Sequence, residues 1–370
     1  MNKSEYLKDN EKFVKYLNKC VTGKQWIDHE YTVVWKPWQK WLRGHSSFAR
    51  DNDYCWRANT LKDAFANYYW PPGSYKENVK ELARLSTGLK NESDDKSLFY
   101  QCVAVLNWGK VVNGGSINWL LEMVKSGSLQ SNLKKGIGLL CGKSEEAVKK
   151  AFGKDSGELL MNSGLTKIYS LMSDSSIIYD SRVGAALCLL IRRYLEEYDI
   201  KKVPEGLSFQ WGEERSKKSG ERSKRDPSLE GRYKFRNLSN NSHEHAVLNL
   251  RANWLFEAAL PEGDLWGFKE KMEKLRALEA GLFMIGYDVT GSCHVAVQQE
   301  QKSNKLATNK ESEQLLRRQG RRQSKIDCAR EVYKELRDNS SSEVRQSIMR
   351  RCDCTKKQAS TYYYKIKNET

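Results

Sequence analysis

A lysine and an aspartate, Lys167 and Asp180, lie 13 positions apart and close to a glycine-containing turn at residues 162–166. A desolvated lysine amine can attack an electron-poor carbon atom, and a carboxylate can stabilise the positive charge that develops there or activate a water molecule. The turn would expose backbone N–H groups that can hold a phosphate. Together these residue types could cut a glycosidic bond in a nucleic acid.

Three local elements must position this pair. Ser156 can cap a short helix over residues 156–161, the turn follows, and a second helix begins over residues 166–172. Asp180 then stands at the amino terminus of a longer helix. One face of that helix is apolar at helical spacing, through Val183, Ala186, Leu187, Leu190, Ile191, Tyr194, Leu195 and Tyr198. Its charges, Arg192, Arg193, Glu196 and Glu197, fall on the other face, so we expect the apolar face to be buried.

The rest of the chain also has helical periodicity. Only six prolines occur in 370 residues, and no strand pattern competes. We therefore predict an all-α fold. Further helices are expected at about 4–19, 58–70, 76–87, 96–108, 116–125, 145–153, 244–259 and 265–285.

The charge balance points to a polyanionic partner. Lys plus Arg number 63 against 47 Asp plus Glu, a formal net charge of +16. No run approaches the roughly 18 apolar residues of a membrane-spanning helix, and the first 18 residues lack a signal-peptide core. We therefore expect a cytoplasmic protein with no membrane partner and no evident obligate protein partner.

The cysteines and histidines do not form a recognisable metal site. Nine cysteines without paired spacing indicate reduced thiols, so no disulfide and no structural zinc are expected. The motif at residues 352–354, Cys-Asp-Cys, is too tight for a zinc knuckle and lacks a second pair. The motif at residues 243–245, His-Glu-His, is interpreted as a solvated helix start. We predict no metal and no cofactor.

Two polar stretches divide the chain. Residues 210–242 are rich in glycine, serine and charge, which predicts a mobile basic loop that can follow a phosphate backbone or simply be solvated. Residues 298–323 carry almost no apolar side chains and are interpreted as a linker. The predicted domains are a helical body over 1–297, which contains the hairpin and catalytic segment at about 156–198, and a terminal domain over 324–370.

The terminal domain has the pattern of three short helices, capped by Ser324, Ser342 and Thr355. Its last two helices are separated by a short turn, as in a helix-turn-helix module whose last helix enters the major groove. From residue 302 to the end there are 18 Lys plus Arg and 9 Asp plus Glu, so this region carries 18 − 9 = +9 of the net charge. DNA contacts are predicted from Lys356, Lys357 and Gln358. The alternative is a basic bundle that keeps the protein soluble or contacts another protein.

The segments Gly164-Leu165-Thr166-Lys167 and Tyr179-Asp180-Ser181-Arg182-Val183 resemble the helix-hairpin-helix DNA glycosylase superfamily. In that superfamily the hairpin ends in a lysine near the start of its second helix, and a conserved aspartate opens a later helix. This chain departs from the pattern in having one hairpin glycine, a shorter lysine-to-aspartate spacing and no cysteine cluster for an iron-sulfur centre.

The resemblance implies a two-lobed helical body with Lys167 as nucleophile and Asp180 as the conserved carboxylate. It also implies that a modified or damaged base is flipped out of double-stranded DNA and excised to leave an abasic site. The architecture is similar to bacterial glycosylases that act against phage DNA with modified cytosine. The DNA contacts expected near the site are Asn162, Ser163, Gly164, Thr166 and Arg182.

Aromatic residues supply candidates for a base pocket. Six of the eleven tryptophans lie in the first 70 residues, interleaved with basic residues, and most are expected to be core. Asn107 and Trp108 follow a predicted helix and are further pocket candidates.

Other interpretations of the same residues stay open. Asp180 could be only a helix N-cap, Lys167 only a solvated helix residue and Arg182 only a partner for Asp180. A buried Asp180 with an exposed Lys167 would favour water as the nucleophile. The alternative function is a non-enzymatic, sequence-specific DNA-binding or replication-associated protein, in which the two residues need not share a cleft.

Overall fold

The computed structural model describes residues 1–45, 54–153, 158–214, 221–238, 241–291 and 327–369. The chain divides into two compact units, a body over Met1–His294 and a C-terminal unit over Val295–Thr370. The linker predicted at 298–323 lies outside the described residues. Among the described helices, none combines the length and the apolar character needed to cross a lipid bilayer.

The body is mostly helical, which confirms the predicted fold class at this coarse level. Its α-helices are α1 (Lys3–Asp9), α2 (Glu11–Val21), α3 (Lys36–His45), α4 (Leu61–Ala66), α5 (Tyr75–Asn91), α6 (Asp95–Trp108), α7 (Gly114–Lys125), α8 (Leu129–Leu140), α9 (Glu145–Ala151), α10 (Leu165–Met172), α11 (Ser181–Glu197), α12 (Ser242–Ala259) and α13 (Lys271–Ile285).

Several predicted helix boundaries were wrong, each for a local reason. The helix expected at 4–19 is two helices, α1 and α2, divided at Asn10, whose side chain donates to the Tyr6 carbonyl. Thr60 and Asp63 form a capping box, so α4 starts later than expected. Trp266 and Gly267 have positive φ, which delays the start of α13 to Lys271.

Short strands are present, contrary to the expectation of none. Strand β1 (His29–Thr32) pairs antiparallel with β2 (Cys55–Ala58), with Tyr31 opposite Trp56. Two-residue strands β3 (Gln210–Trp211) and β4 (Arg236–Asn237) pair in parallel. The first pair carries aromatic core residues, because the Tyr31 and Trp56 rings stack with centroids 4.7 Å apart.

Helix α11 lies in the centre of the body. Most of its predicted apolar face is buried, including Val183, Leu187, Leu190 and Ile191, whereas Tyr198 at its end is 46% exposed. The helix packs against α2, α13 and β3. Arg192 and Arg193 are partly buried, whereas Glu196 and Glu197 are exposed, as the periodicity predicted. The burial of this face fixes the helix that begins at Asp180.

Glycine permits the closest contact between α11 and α13. A Cβ atom at Gly286, just after α13, would lie 1.8 Å from the backbone oxygen of Arg182, in the first turn of α11. Only glycine leaves room for the two backbones to approach this closely. This crossing sets the start of α11 against the end of α13.

The described parts of the predicted mobile loop at 210–242 are held by hydrogen bonds. Arg225 donates to Ser181 Oγ at 2.8 Å, the Val289 amide donates to the Lys224 carbonyl at 2.7 Å, and Arg192 donates to the Pro227 carbonyl. Residues 215–220 and 239–240, which include Arg215, lie outside the described residues. Residues 224–227 are therefore anchored to α11 and to the chain after α13, whereas residues 229–232 are exposed.

The C-terminal unit contains three helices, α14 (described at 327–336), α15 (Ser341–Arg351) and α16 (Lys356–Glu369). Ser340, and not Ser342, caps α15 through a capping box with Glu343. Thr355 caps α16, as predicted, through its bonds with Gln358. Ser324 lies outside the described residues. The core of this unit is built from Val332, Val344, Ile348, Tyr362, Tyr363 and Ile366.

The expectation of no disulfide was wrong. Cys328 and Cys352 are bonded through their sulfur atoms, 24 positions apart, with a Cα–Cα distance of 5.7 Å. This disulfide could not be predicted from the sequence, because the cysteine spacing does not show that α14 packs against the end of α15.

We predict that Gly286→Ala destabilises the body by about 1–3 kcal/mol, because the new methyl group must displace backbone in a packed contact. Urea unfolding monitored by circular dichroism would measure the change. Gly138→Ala, in α8, is the matched control, because a Cβ there meets no atom within 4 Å. It should be neutral or slightly stabilising. Equal stability of Gly286→Ala and wild type would contradict the tight crossing.

Candidate active site

Lys167 and Asp180 form a buried ion pair. The Lys167 Nζ lies 3.1 Å from Asp180 Oδ2, and the two side chains are only 5% and 10% exposed. Nζ also donates to the Ser163 carbonyl at 2.9 Å. The interpretation of Lys167 as a solvated helix residue is thereby excluded.

Asp180 is both the lysine's partner and the N-cap of α11. Its Oδ1 accepts hydrogen bonds from the amides of Arg182 and Val183. Burial alone would raise the pKa of the Asp180 carboxyl. The charge and hydrogen bond of Lys167, with the Val183 amide and Arg182, outweigh that effect and hold the pKa below its usual range. Asp180 is therefore a carboxylate at neutral pH.

The segment before Asp180, residues 176–179, is buried and belongs to no sheet. Side chains from neighbouring elements accept its amide hydrogens. The acceptors are Ser173 Oγ for Ser176, Asn253 Oδ1 for Ile177, Glu279 Oε2 for Ile178 and Thr166 Oγ1 for Tyr179. The position of Asp180 thus depends on α10, α12 and α13 together.

His245 supports the same segment and is not a solvated residue as predicted. Its Nε2 lies 2.8 Å from the Tyr179 carbonyl, which requires the N–H tautomer at that nitrogen. Burial lowers the pKa of His245 to about 4, so the ring is neutral at pH 7. Among the residues that the structure describes, no group of His, Cys, Asp and Glu could hold a metal ion.

Lys167 is held from the side by Gly109. A Cβ atom at Gly109 would lie 2.6 Å from Lys167 Cδ and 2.8 Å from Cε. The bare backbone there leaves space for the lysine stem, while Ser163 and Asp180 fix its amine. These contacts hold the Lys167 side chain in the observed conformation.

The hairpin differs from the prediction in two ways. The described residues 158–161 of the expected first helix are not helical. The amides of Gly164 and Leu165, which were expected to hold a phosphate, donate to Asn162 Oδ1 at 2.8 and 3.0 Å. Their donors are already used, so a phosphate could bind them only by displacing Asn162.

The predicted DNA contacts near the hairpin are unequal in exposure. Asn162 and Ser163 are partly exposed, whereas Gly164 is buried. Thr166 is fully buried, with Oγ1 donating to Asn249 Oδ1 at 2.9 Å. Thr166 is therefore a structural residue and has no surface with which to contact DNA.

A cavity opens beside the ion pair and is partly continuous with solvent; the centres of water-sized molecules can occupy about 50 Å³ of it. Five of its lining residues are aromatic, and the walls come from widely separated parts of the chain. Besides Lys167 and Asp180 they include Tyr68, Trp70, Tyr75, Trp108, Arg276, Glu279 and Phe283.

Of the two predicted pocket residues, only Trp108 lines the cavity. Its carbonyl accepts a hydrogen bond from Trp70 Nε1, whereas Asn107 is exposed and is not part of the wall. Of the other amino-terminal tryptophans, Trp38 and Trp56 are core and Trp26 is 63% exposed.

Sequence reasoning missed Glu279 and its neighbours. Glu279 Oε2 accepts from Arg276, and burial raises the pKa of the Glu279 carboxyl. Arg276, Glu279 and Phe283 occur at i, i+3 and i+7, which places them on one face of α13. Charged residues on a face that is otherwise buried were the signal that could have identified them.

Cationic groups adjoin the cavity. The Arg182 guanidinium lies 5.4, 4.3 and 5.1 Å from the ring centres of Trp70, Phe283 and Tyr287. Burial lowers the pKa of the neighbouring Arg225 to about 10, and the charge of Arg182 adds to this effect. Lys110 Nζ lies 5.3 Å from the Trp70 ring centre.

The predicted contacts in the C-terminal unit lie at the start of α16. Lys356 and Lys357 occupy its first two positions, and Gln358 is exposed. Gln358 Oε1 accepts from the amide and hydroxyl of Thr355, so that oxygen serves as part of the cap.

We predict that Lys167→Met destabilises the body by about 3–5 kcal/mol, because it leaves the buried Asp180 carboxylate without its cation. Adding Asp180→Asn should recover part of the loss. Chemical denaturation of the single and double variants gives the coupling energy. Lys274→Met is the control: Lys274 is equally buried but donates only to the carbonyls of Pro261 and Gly263. If the losses of unfolding free energy in the two single variants add up to the loss in the double variant, the coupling energy is zero and the ion pair is contradicted.

The lowered pKa of Asp180 also predicts a pH dependence. The unfolded state, with an aspartate pKa of about 3.9, binds the proton more readily than the folded state. The contribution of Asp180 is therefore complete above about pH 5 and is lost as pH falls through the folded pKa. The free energy of unfolding should fall less in Asp180→Asn than in wild type between pH 6 and pH 3. Parallel pH curves would contradict the prediction.

Comparisons of the chain with protein-family models, with curated proteins and with solved structures found no match.

Proposed function

We propose that the protein is a DNA N-glycosylase, which flips a modified or damaged base out of the duplex and cleaves its glycosidic bond to leave an abasic site. The observation that carries the proposal is the buried pair of Lys167 Nζ and Asp180 Oδ2, 3.1 Å apart in the wall of an aromatic cavity. The proposal includes membership of the helix-hairpin-helix superfamily, its two-lobed body and a role in base-excision repair or anti-phage defence.

The pair suits the chemistry of glycosidic cleavage. Asp180 can take a proton from Lys167, whose amine then bonds to C1′ of the deoxyribose as the C1′–N bond breaks. The bonding electrons leave with the base, which takes up a proton. Nitrogen then carries two protons, one of which passes to O4′ as the C1′–O4′ bond breaks, so that the sugar ring opens and a protonated Schiff base remains. If water attacks instead, Asp180 activates it and Lys167 holds the carboxylate in place, so Asp180 is essential in both cases.

The cavity supports a flipped base as the ligand. A base in the helical stack cannot reach a buried lysine, so it must be extruded into a pocket. Trp70, Trp108 and Phe283 offer ring faces or edges to a planar ligand, and such contacts contribute about 1–3 kcal/mol per base. That contribution offsets the cost of unstacking.

The charges around the cavity support a nucleic-acid backbone outside it. Arg182 donates no side-chain hydrogen bond to any described residue and is held between aromatic rings. With Arg225 and Lys110 it provides cations for the phosphates that flank a flipped nucleotide. These three cations are proposed to bind the phosphates instead of the hairpin amides, whose N–H groups already donate to Asn162.

The C-terminal unit is proposed to tether the enzyme to duplex DNA. Its short turn between α15 and α16 and its share of the positive charge fit a helix-turn-helix-like module. Such a module raises the local substrate concentration without selecting the lesion.

The test is incubation with duplexes that contain alkylated, deaminated, oxidised or phage-type modified bases, followed by alkali to reveal abasic sites and borohydride to trap a Schiff base. Asp180→Asn should lower the excision rate by about 10²- to 10³-fold or more. Lys167→Gln should abolish the trapped adduct. Asp94→Asn is the matched control, because Asp94 also caps a helix through two amides but lies outside the cavity wall.

The outcomes separate the mechanisms. Alkali-sensitive sites with an adduct indicate Lys167 as nucleophile, and sites without an adduct indicate water. Tight DNA binding with no excision of any base would overturn the proposal in favour of a non-enzymatic DNA-binding protein. Full activity of Asp180→Asn would also overturn it.

A further inference from the structure

Three oxygen atoms of cavity-lining residues lack a partner within the described part of the chain. They are the hydroxyls of Tyr68 and Tyr75 and the Oε1 atom of Glu279. Polar atoms that line a cavity and have no partner in the protein can bond to a ligand that enters it. Their presence together in one aromatic cavity indicates a ligand with complementary donors and acceptors.

Glu279 is held in a fixed orientation. Its Oε2 atom accepts from the Ile178 amide and from Arg276, both at 2.7 Å, and Arg276 donates in turn to the Ser170 carbonyl at 2.6 Å. The residue is only 8% exposed. These bonds use Oε2 and leave Oε1 without a donor. Burial raises the pKa of this carboxyl, but the Arg276 guanidinium, 2.7 Å from Oε2, stabilises its ionised form. The ionised Oε1 atom accepts and does not donate, so its complement is an N–H or O–H group.

The hydroxyls of Tyr68 and Tyr75 supply hydrogen-bond donors to the same cavity. Burial raises the pKa of Tyr68 and Tyr75 well above the ordinary value, so both remain protonated and can donate. The cavity therefore offers an acceptor and two donors beside the rings of Trp70, Trp108 and Phe283. A planar ring with an amino group next to a ring nitrogen matches this set.

We propose that the excised base carries an exocyclic amino group beside a ring acceptor, as in cytosine and adenine derivatives, and that Glu279 Oε1 accepts from that amino group. A carboxylate that accepts from the N4 amino group of cytosine is a known mode of base reading. Bases with a carbonyl at that position, as in uracil derivatives, place an acceptor against Oε1 and are rejected. This specificity rests on the proposed glycosylase function.

The test uses two duplexes that differ only at this group, one with 5-hydroxymethylcytosine and one with 5-hydroxymethyluracil. Wild type should excise the cytosine derivative about 10- to 100-fold faster, the size of one well-placed contact of this kind. In Glu279→Gln, the Ile178 amide and Arg276 keep the amide oxygen at the Oε2 position. The NH₂ group then faces the cavity, and the preference should disappear or reverse.

Glu273→Gln is the matched control. Glu273 lies on the same helix but is exposed and outside the cavity wall. The Glu273→Gln variant should therefore prefer the cytosine derivative to the same extent as wild type. Thermal melting of both variants would separate a change of specificity from a loss of folding.

A second measurement does not depend on catalysis. Deoxycytidine and deoxyuridine are titrated into Asp180→Asn while the intrinsic fluorescence of the protein, to which Trp70 and Trp108 contribute, is followed. Deoxycytidine should bind more tightly, and adding Glu279→Gln should remove the difference.

The results distinguish the two proposals. Equal or faster excision of the uracil derivative, or an unchanged ratio in Glu279→Gln, overturns the amino-base inference and leaves the glycosylase in place. If neither duplex is cut, the nucleoside titration decides: a preference that requires Glu279 supports recognition of an amino base without glycosylase activity. Equal affinities overturn the inference.

Discussion

The structure depends on one constraint, the need to satisfy a buried stretch of backbone that has no strand beside it. The amides of residues 176–179 have no sheet partner, so side chains from α10, α12 and α13 must supply acceptors. The side-chain positions of Thr166, Asn253 and Glu279 are therefore fixed by hydrogen bonds as well as by packing. Because Asp180 follows directly, the carboxylate occupies a position that three helices determine together.

The same arrangement explains the electrostatics of the cavity. Asp180 is compensated by Lys167 and by two amides at the start of α11, so its charge is stable although it is buried. Among the described residues, Glu279 accepts hydrogen bonds at one oxygen only, and the Arg182 guanidinium contacts aromatic rings but bonds to no carboxylate. The cavity thus combines one satisfied charge pair with groups that can still bind a ligand.

The sequence predicted the elements whose signals are local. Helix α11, its buried face and the proximity of Lys167 to Asp180 follow from spacing within about 30 residues. Helix α8 was missed because Gly136 weakens the helical signal, yet a Cβ there would lie 2.5 Å from the Tyr169 ring. The cavity could not be predicted, since Tyr68 and Glu279 meet only after folding. The bonds of Asn162 Oδ1 with the Gly164 and Leu165 amides could not be predicted, because they depend on the rotamer of the Asn162 side chain.

Gly109 shows how a residue without a functional group can be required by a buried ion pair. Its backbone lies against the Lys167 stem, and any side chain would occupy the volume of Cδ and Cε. In a survey of all substitutions, position 109 should be as intolerant as the lysine itself, although it donates no proton and binds nothing. The space that the missing side chain leaves for Lys167 Cδ and Cε is as specific a requirement as the amine at the end of that stem.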